Sequence, residues 1–282
     1  MNFHLSAHFG HGSAAAPAKP ATLSCEGVTY RVGGPNGRAI LQDIQFKAKA
    51  GEIIGICGPN GAGKSTLLRA LGGLIQTESG TIHVNNQPIH KIRPRQLARQ
   101  VSFLPQDTVV PFDFKARDIV LMGRHPYTSS LAATSDHDLA LVERCMAAAE
   151  CEREADQLVT TLSGGERQRV MVARMLAQDT PIVLLDEMTA AQDIRHASKL
   201  LTLARQLAHA GKLVILVLHD LRAAAHFCTR ICLMHEGRIV ADGNPVEVLH
   251  EGHIAYVYGV KARTFTNPFG RWDFDIQGES EL

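Results

Sequence analysis

Gly58-Pro59-Asn60-Gly61-Ala62-Gly63-Lys64-Ser65-Thr66 is the stretch on which the fold turns. It satisfies G-x-x-x-x-G-K-[ST], a phosphate-binding loop. Before it, Glu52-Ile53-Ile54-Gly55-Ile56-Cys57 is a short apolar run that reads as a buried parallel strand. After it, Ser65 to Leu71 reads as the start of a helix. Strand, loop and helix in that order are the context the motif requires. The glycines let the backbone curl round an anion with N–H groups pointing inward, and the helix N-terminus adds positive potential. Lys64 offers a point charge to the outer phosphates. The Ser65 hydroxyl is a hard donor suited to Mg²⁺.

The 282 residues are enough for one large domain, or a domain with a subdomain. A net charge of +1 advertises neither nucleic acid nor anionic lipid as a partner. Apolar runs such as Leu213 to Leu218 are far too short to span a bilayer, and no secretory signal is expected at the N-terminus, which has no continuous apolar stretch. The six cysteines form no C-x-x-C pair. Cys57 and Cys232 fall in predicted strands and read as buried thiols, which points to a reducing, cytosolic compartment.

Residues 1–20 are rich in Ala, Gly, His and Pro and read as a mobile tail. His4, His8 and His11 there have no second ligand cluster to complete a metal site. Leu23 to Val32 and Ile40 to Ala48 read as strands joined by the Gly33–Gly37 turn. Tyr30 could stack on an adenine ring, or be a half-buried strand tyrosine. Glu78-Ser79-Gly80 reads as a turn before a strand from Thr81 to Val84. Val101 to Leu104 is a strand ending in Pro105-Gln106, where a glutamine can reach a metal or a water. From Asp113 to about Asp156 strand signals give way to helical spacing, at Ala116 to Met122 and through Leu139, Val142, Cys145, Met146 and Ala149. An inserted helical subdomain at about residues 110–160 is expected. Its Val109–Phe112 entry and Gly123–Tyr127 segment fit either a partner surface or local packing.

Leu162-Ser163-Gly164-Gly165-Glu166-Arg167-Gln168 opens a helix with a hydroxyl and two glycines. It reads as a helix cap or as a second anion site, which two copies of the chain would use by sharing each nucleotide. Pro181-Ile182-Val183-Leu184-Leu185-Asp186-Glu187 is an apolar strand ending in two carboxylates. Beside the loop, Asp186 can hold Mg²⁺ through water and Glu187 can act as general base. Ile194 to Ala210 is an amphipathic helix, and Lys212 to Leu218 a buried strand ended by His219-Asp220. A strand-end histidine can be a hydrogen-bonded structural residue, but His219 reads as a γ-phosphate contact, because ligands of open α/β sheets bind at the strands' C-terminal ends. Arg230–His235 and Arg238–Asp242 form a hairpin about Glu236-Gly237, and Pro245 to Leu249 a short helix. Phe265, Phe269, Trp272 and Phe274 fit either strands packed on the body or a partner surface.

Taken in order, Gly58–Thr66, Gln106, Leu162–Gln168, Ile182–Glu187 and His219 resemble the nucleotide-binding subunit of ABC transporters, over about Leu23 to Tyr258. The resemblance implies an α/β P-loop NTPase of the ABC ATPase type. Such a fold has a mainly parallel sheet core, an antiparallel β subdomain and an inserted helical subdomain. The ATP-binding domain would run over residues 21–262, with a C-terminal extension at 263–282. It implies a head-to-tail homodimer or pseudo-dimer with two ATP molecules in its interface. Tyr30 would stack on adenine, and Gly58, Pro59, Asn60, Gly61, Ala62, Gly63, Lys64, Ser65 and Thr66 would hold phosphates. Ser163, Gly164, Gly165 and Glu166 would close the site from the other subunit. Ser65, Gln106 and Asp186 would serve Mg²⁺, and Glu187, Gln106 and His219 the hydrolysis, with Asp193 at the dimer contact. Met188 and Gln192 depart from the family's usual proline and leucine, from which slower or looser coupling is expected.

Phe103–Gln106 through Met122–Tyr127, Leu218–Leu221 and Val257–Val260 are similar to importers of iron–siderophore, haem and cobalamin complexes. An iron–siderophore importer is expected first, with haem and cobalamin behind. The chain would sit on the cytoplasmic face of the inner membrane, held by permease subunits and served by a substrate-binding protein. Soluble ABC ATPases that act on nucleic acid or ribosomes carry tandem cassettes or a long coiled coil, and neither is present here. A catalytically silent regulatory binder is suggested only by Met188 and Gln192.

Overall fold

The computed structural model describes residues 20–34, 37–106, 110–128, 134–186 and 194–279. The N-terminal tail before Pro20, with His4, His8 and His11, lies outside them, as do Glu187, Met188, Gln192 and Asp193.

Two strand patterns build two sheets. Residues that alternate between buried and exposed make the antiparallel sheet, in the order β2-β1-β4-β5. Its strands are β1 (Thr22–Val32), β2 (Arg38–Lys49), β4 (Ser79–Val84) and β5 (Gln87–Pro88). Continuous apolar runs make the other, because a central parallel strand is buried on both faces. Its parallel strands are β3 (Ile53–Cys57), β6 (Val101–Leu104), β7 (Ile182–Leu185), β8 (Leu213–Val217) and β9 (Arg230–His235). β10 (Arg238–Gly243) adds antiparallel to β9, giving the order β10-β9-β3-β8-β7-β6.

The parallel sheet is the middle layer. Along β7, Ile182 and Leu184 face the core shared with the antiparallel sheet and α1 (Lys64–Leu71). Val183 and Leu185 face the core shared with the helices. That alternation is the period of two expected of a strand. The helical side holds α3 (Ala116–Leu121), α4 (Asp136–Ala148), α5 (Gly164–Gln178), α6 (Ile194–His209) and α7 (Leu221–Phe227). The short α2 (Pro94–Leu97) leads into β6, and α8 (Pro245–Val248) and α9 (Glu251–Tyr258) follow the β9–β10 hairpin. A last antiparallel pair, β11 (Val260–Thr266) and β12 (Trp272–Glu279), lies against α7 and α9. No helix among the described residues is long and apolar enough to cross a membrane.

The structure departs from the sequence reading in these details. Ser79 and Gly80 belong to β4, because Ser79 pairs with Thr29 beyond a bulge in β1. The sequence reading has no counterpart of α2, α7 or α9. α5 packs on α3 and α4, so the helical layer extends past residue 160. The terminal hairpin starts at Val260, three residues before the expected extension. The six cysteines are all buried and unbridged, and burial pushes the Cys57 thiol up to about 12.

The Gly123–Tyr127 segment is built into the interior. Arg124 is buried and donates Nε to Asp138 Oδ1 at 2.7 Å and Nη1 to the Ala177 carbonyl at 2.8 Å. Its guanidinium lies 4.1 Å from the Tyr127 ring centroid. Burial alone would raise the Asp138 carboxyl, but hydrogen bonds from Ser135 and Arg124 outweigh it and hold it low. Asp138→Ala leaves the buried guanidinium without its counter-ion, an expected loss of about 3–5 kcal/mol at neutral pH. The folded pKa lies below the unfolded one, so the parent has this stability above the unfolded pKa and loses it as pH falls through the folded value. The parent–variant gap in denaturation midpoint therefore narrows on acidification.

Candidate functional site

The C-terminal ends of four adjacent parallel strands gather the sequence-predicted groups along one edge. β3 runs into the Gly58 loop, His219 stands two residues beyond β8, Asp186 directly follows β7, and Gln106 stands two residues beyond β6. Sheet hydrogen bonds continue past the strand ends. The Leu218 amide donates to Ile56 O at 3.1 Å, and the Asp186 amide to Leu104 O at 2.9 Å. The edge is thus fixed by backbone rather than by side chains. His219 and Gln106 are exposed there, and Asp186 is fully buried.

The loop's shape depends on its glycines. Gly58 (φ 150°) and Gly63 (φ 98°) occupy backbone that side chains rarely adopt. A Cβ would stand 2.2 Å from Met234 O at Gly58, and 2.7 Å from Ile40 O at Gly63. Lys64 is 4% exposed and folds back, with Nζ donating to Gly58 O and Pro59 O at 2.9 Å each. The ammonium is therefore held inside the curl that its own backbone makes. Ser65 and Thr66 are half-buried in the first turn of α1, where backbone amides have no intrahelical acceptor. Those amides are free to face an anion.

Three neighbours of the loop were not found from sequence. The Glu236-Gly237 turn of the β9–β10 hairpin is stitched to it: the Gly237 amide donates to Ala62 O at 3.1 Å, and the Gln42 amide to Gly237 O at 2.8 Å. The E-G dipeptide signalled the turn, but nothing local signalled what it touches. Arg69, one turn into α1, brings Nη2 to 3.8 Å from Asp186 Oδ2. Tyr258, closing α9, buries its hydroxyl beside the start of the loop. Burial pushes that phenol up, Cys57 adds to the effect, and the Gly58 amide opposes it.

Tyr30 is half-buried on β1 opposite Leu41, whose side chain approaches Gly63. It therefore belongs to the neighbourhood of the loop. The Ser163 group does not. Ser163 caps α5 in the helical layer, and Ser163, Gly164 and Gly165 are exposed. A Cβ at Gly164 or Gly165 meets no described atom within 4 Å. Within one chain this end forms a capping box. The Ser163 hydroxyl donates to Glu166 Oε2 at 2.7 Å, and the Ser163 amide donates to the same oxygen at 2.8 Å. These bonds, the hydroxyl's first, hold the Glu166 carboxyl below its usual range.

Asp186 and Ser65 are hard oxygen donors, a buried carboxylate and a hydroxyl, and that set fits Mg²⁺. Among the described residues no cluster of His, Cys, Asp and Glu forms a metal site by itself. A cation here would therefore arrive with a phosphate ligand, as Mg²⁺ usually does.

Comparisons with known proteins agree with this arrangement. The family described as ABC transporter matches residues 41–190. The chain is 42% identical over 262 residues to the hemin import ATP-binding protein HmuV of Nocardia farcinica, covering 92% of this chain and 90% of that one. It is 39% identical over 248 residues to the cobalamin import ATP-binding protein BtuD of Halobacterium salinarum, covering 88% of this chain and 61% of that one. A dimeric ATP-binding cassette solved in a post-hydrolysis state with ADP and Pi superposes with a TM-score of 0.71 at 28% identity, covering 79% of this chain and 98% of that one. With a family match over more than half its length and such relatives along nearly all of it, the chain belongs to the ABC transporter family and is an ATP-hydrolysing member of it.

Proposed function

We propose that the chain is the energy-coupling subunit of an importer for a tetrapyrrole–metal complex, hemin before cobalamin. The relatives reported above are named for hemin and cobalamin, so hemin takes the place that an iron–siderophore complex held on sequence alone. The observation that carries the motor reading is the single sheet edge bearing the Gly58–Thr66 loop, Gln106, Asp186 and His219.

Each residue then has one task. Tyr30 stacks on the base. Lys64 and the Gly61 to Thr66 amides hold the phosphates. Ser65 and Asp186 would hold Mg²⁺, with Gln106 beside them; when bound, the ion offsets phosphate charge. Glu187 takes a proton from the attacking water as the bond to the leaving ADP oxygen breaks, and His219 contacts the γ-phosphate. The exposed Ser163-Gly164-Gly165 end serves the phosphates of a second copy, which accounts for its separation from the loop of its own chain. Closing two such sites on ATP supplies the differential affinity that drives a shape change. The helical layer carries that change to a permease at the membrane, supplied by a substrate-binding protein. An open groove of about 450 Å³ there is lined by Arg117, Leu121, Leu139, Glu143 and Met146, and Phe112 and Leu139 are exposed.

The test is uptake by membrane vesicles holding the chain and its permease, offered hemin, cobalamin or a ferric siderophore in turn. ATP-dependent uptake of hemin is expected. Uptake of the siderophore alone overturns the assignment of cargo.

A further inference from the structure

The terminal hairpin β11–β12 has little interior of its own: Phe269 is 85% exposed and Ile276 63%. A two-stranded hairpin on its own is marginal in water, so its order comes from what it grips. Trp272 and Phe274 pack on the helical-side core. The polar grip is on Arg222. Its Nε donates to Asp273 Oδ1 at 2.5 Å, its Nη2 donates to Phe274 O at 2.6 Å, and its guanidinium lies 4.6 Å from the Phe274 ring centroid. Hydrogen bonding from Arg222 is the foremost cause that keeps the Asp273 carboxyl below its usual range, so it stays ionised at neutral pH.

Arg222 sits in the first turn of α7, three residues after His219. The segment between them is short and pinned at both ends. Leu218 is held by β3 through Ile56 O. Asp220 caps α7, with Oδ1 accepting from the Arg222 amide at 2.9 Å and the Ala223 amide at 3.2 Å. α7 has only seven residues, so whatever fixes its first turn fixes the direction in which the chain leaves β8. His219 occupies that exit.

We infer that Arg222 and Asp273 are positioning residues for hydrolysis: the C-terminal hairpin, through this clamp, sets where His219 meets the γ-phosphate. The inference rests on the role assigned above to His219. It makes the extension a part of the ATPase site and gives anything that displaces the hairpin a route to the hydrolysis rate.

The test uses the full chain and two readouts, phosphate release at saturating MgATP and binding of a fluorescent ADP, which has no γ-phosphate. Asp273→Ala should lower kcat by about ten-fold while ADP affinity stays within about two-fold, since misplacing one group by a fraction of an ångström has effects of that order. Asp273→Glu keeps an acceptor and should recover most of the loss. Arg222→Met keeps the stem against Phe274 but removes both donors; its side chain is 55% exposed, so it folds, and the same ten-fold fall is expected. A merely structural clamp would lower thermal stability and leave kcat per folded molecule unchanged. Asp273→Ala and Arg222→Met both at the parent kcat, beside a His219→Ala chain that has lost hydrolysis, would overturn the clamp alone. A His219→Ala chain that hydrolyses at the parent rate would overturn the clamp together with the role of His219.

Discussion

Lys64→Ala should lower ATP hydrolysis by about 10²–10³-fold, the usual cost of removing one preorganised charge from a reacting phosphate. The same change should abolish the rise in melting temperature that MgATP gives the parent, because a ligand stabilises only the fold that binds it. The size of the effect follows from how Lys64 is held. It is almost fully buried, and two loop carbonyls fix its ammonium at 2.9 Å each. The charge is therefore in place before nucleotide arrives, and little reorganisation is needed at the moment of reaction. Arginine is no substitute, since a planar fork cannot point at Gly58 O and Pro59 O from within the same curl. Phosphate release and thermal shift check both halves. Hydrolysis within ten-fold of the parent would mean that the loop amides suffice without the lysine.

The parts of this site that could be read from sequence are those whose chemistry is local. The Gly58–Thr66 loop needs glycines at fixed offsets because Met234 O and Ile40 O leave no room for a Cβ, so the requirement is written in residue type. β3, β7 and β8 are central strands buried on both faces, and unbroken apolar runs express that directly. What could not be read depends on long-range contact. Gly237 touches Ala62 from far along the chain, and Tyr258 reaches the loop from a helix that shows only ordinary apolar spacing. α7 is short enough that Asp220, its cap, reads equally well as a strand-end acid. Phe265, Phe269, Trp272 and Phe274 fit either packing or a partner surface on sequence alone, and the structure bears out packing for two of them. Trp272 and Phe274 pack inward while Phe269 and Ile276 face out. Gly123–Tyr127 was similarly open, and there Arg124 with its counter-ion Asp138 decides for packing.

Glu187→Gln should lower hydrolysis by about 10²–10⁴-fold, the range removed with a general base, and leave ATP binding intact. A carboxamide has nearly the carboxylate's shape but cannot take the proton of the attacking water. Asp186→Asn provides the contrast. Asp186 is fully buried with Arg69 3.8 Å away, so removing its charge should weaken MgATP binding itself and show no selective loss at the chemical step. The pair of variants therefore separates the two neighbouring acids by role. With hydrolysis stopped and ATP retained, Glu187→Gln should also accumulate as a dimer in gel filtration with ATP, and as a monomer with ADP. The reason lies in the Ser163 end, whose hydroxyl is occupied by Glu166 within one chain and whose two glycines face open space. On the function proposed above, it is a second copy's phosphates that this end binds. A Glu187→Gln chain that binds ATP tightly yet stays monomeric would leave the Ser163 end as nothing more than a helix cap, and the shared-nucleotide reading would fall with it.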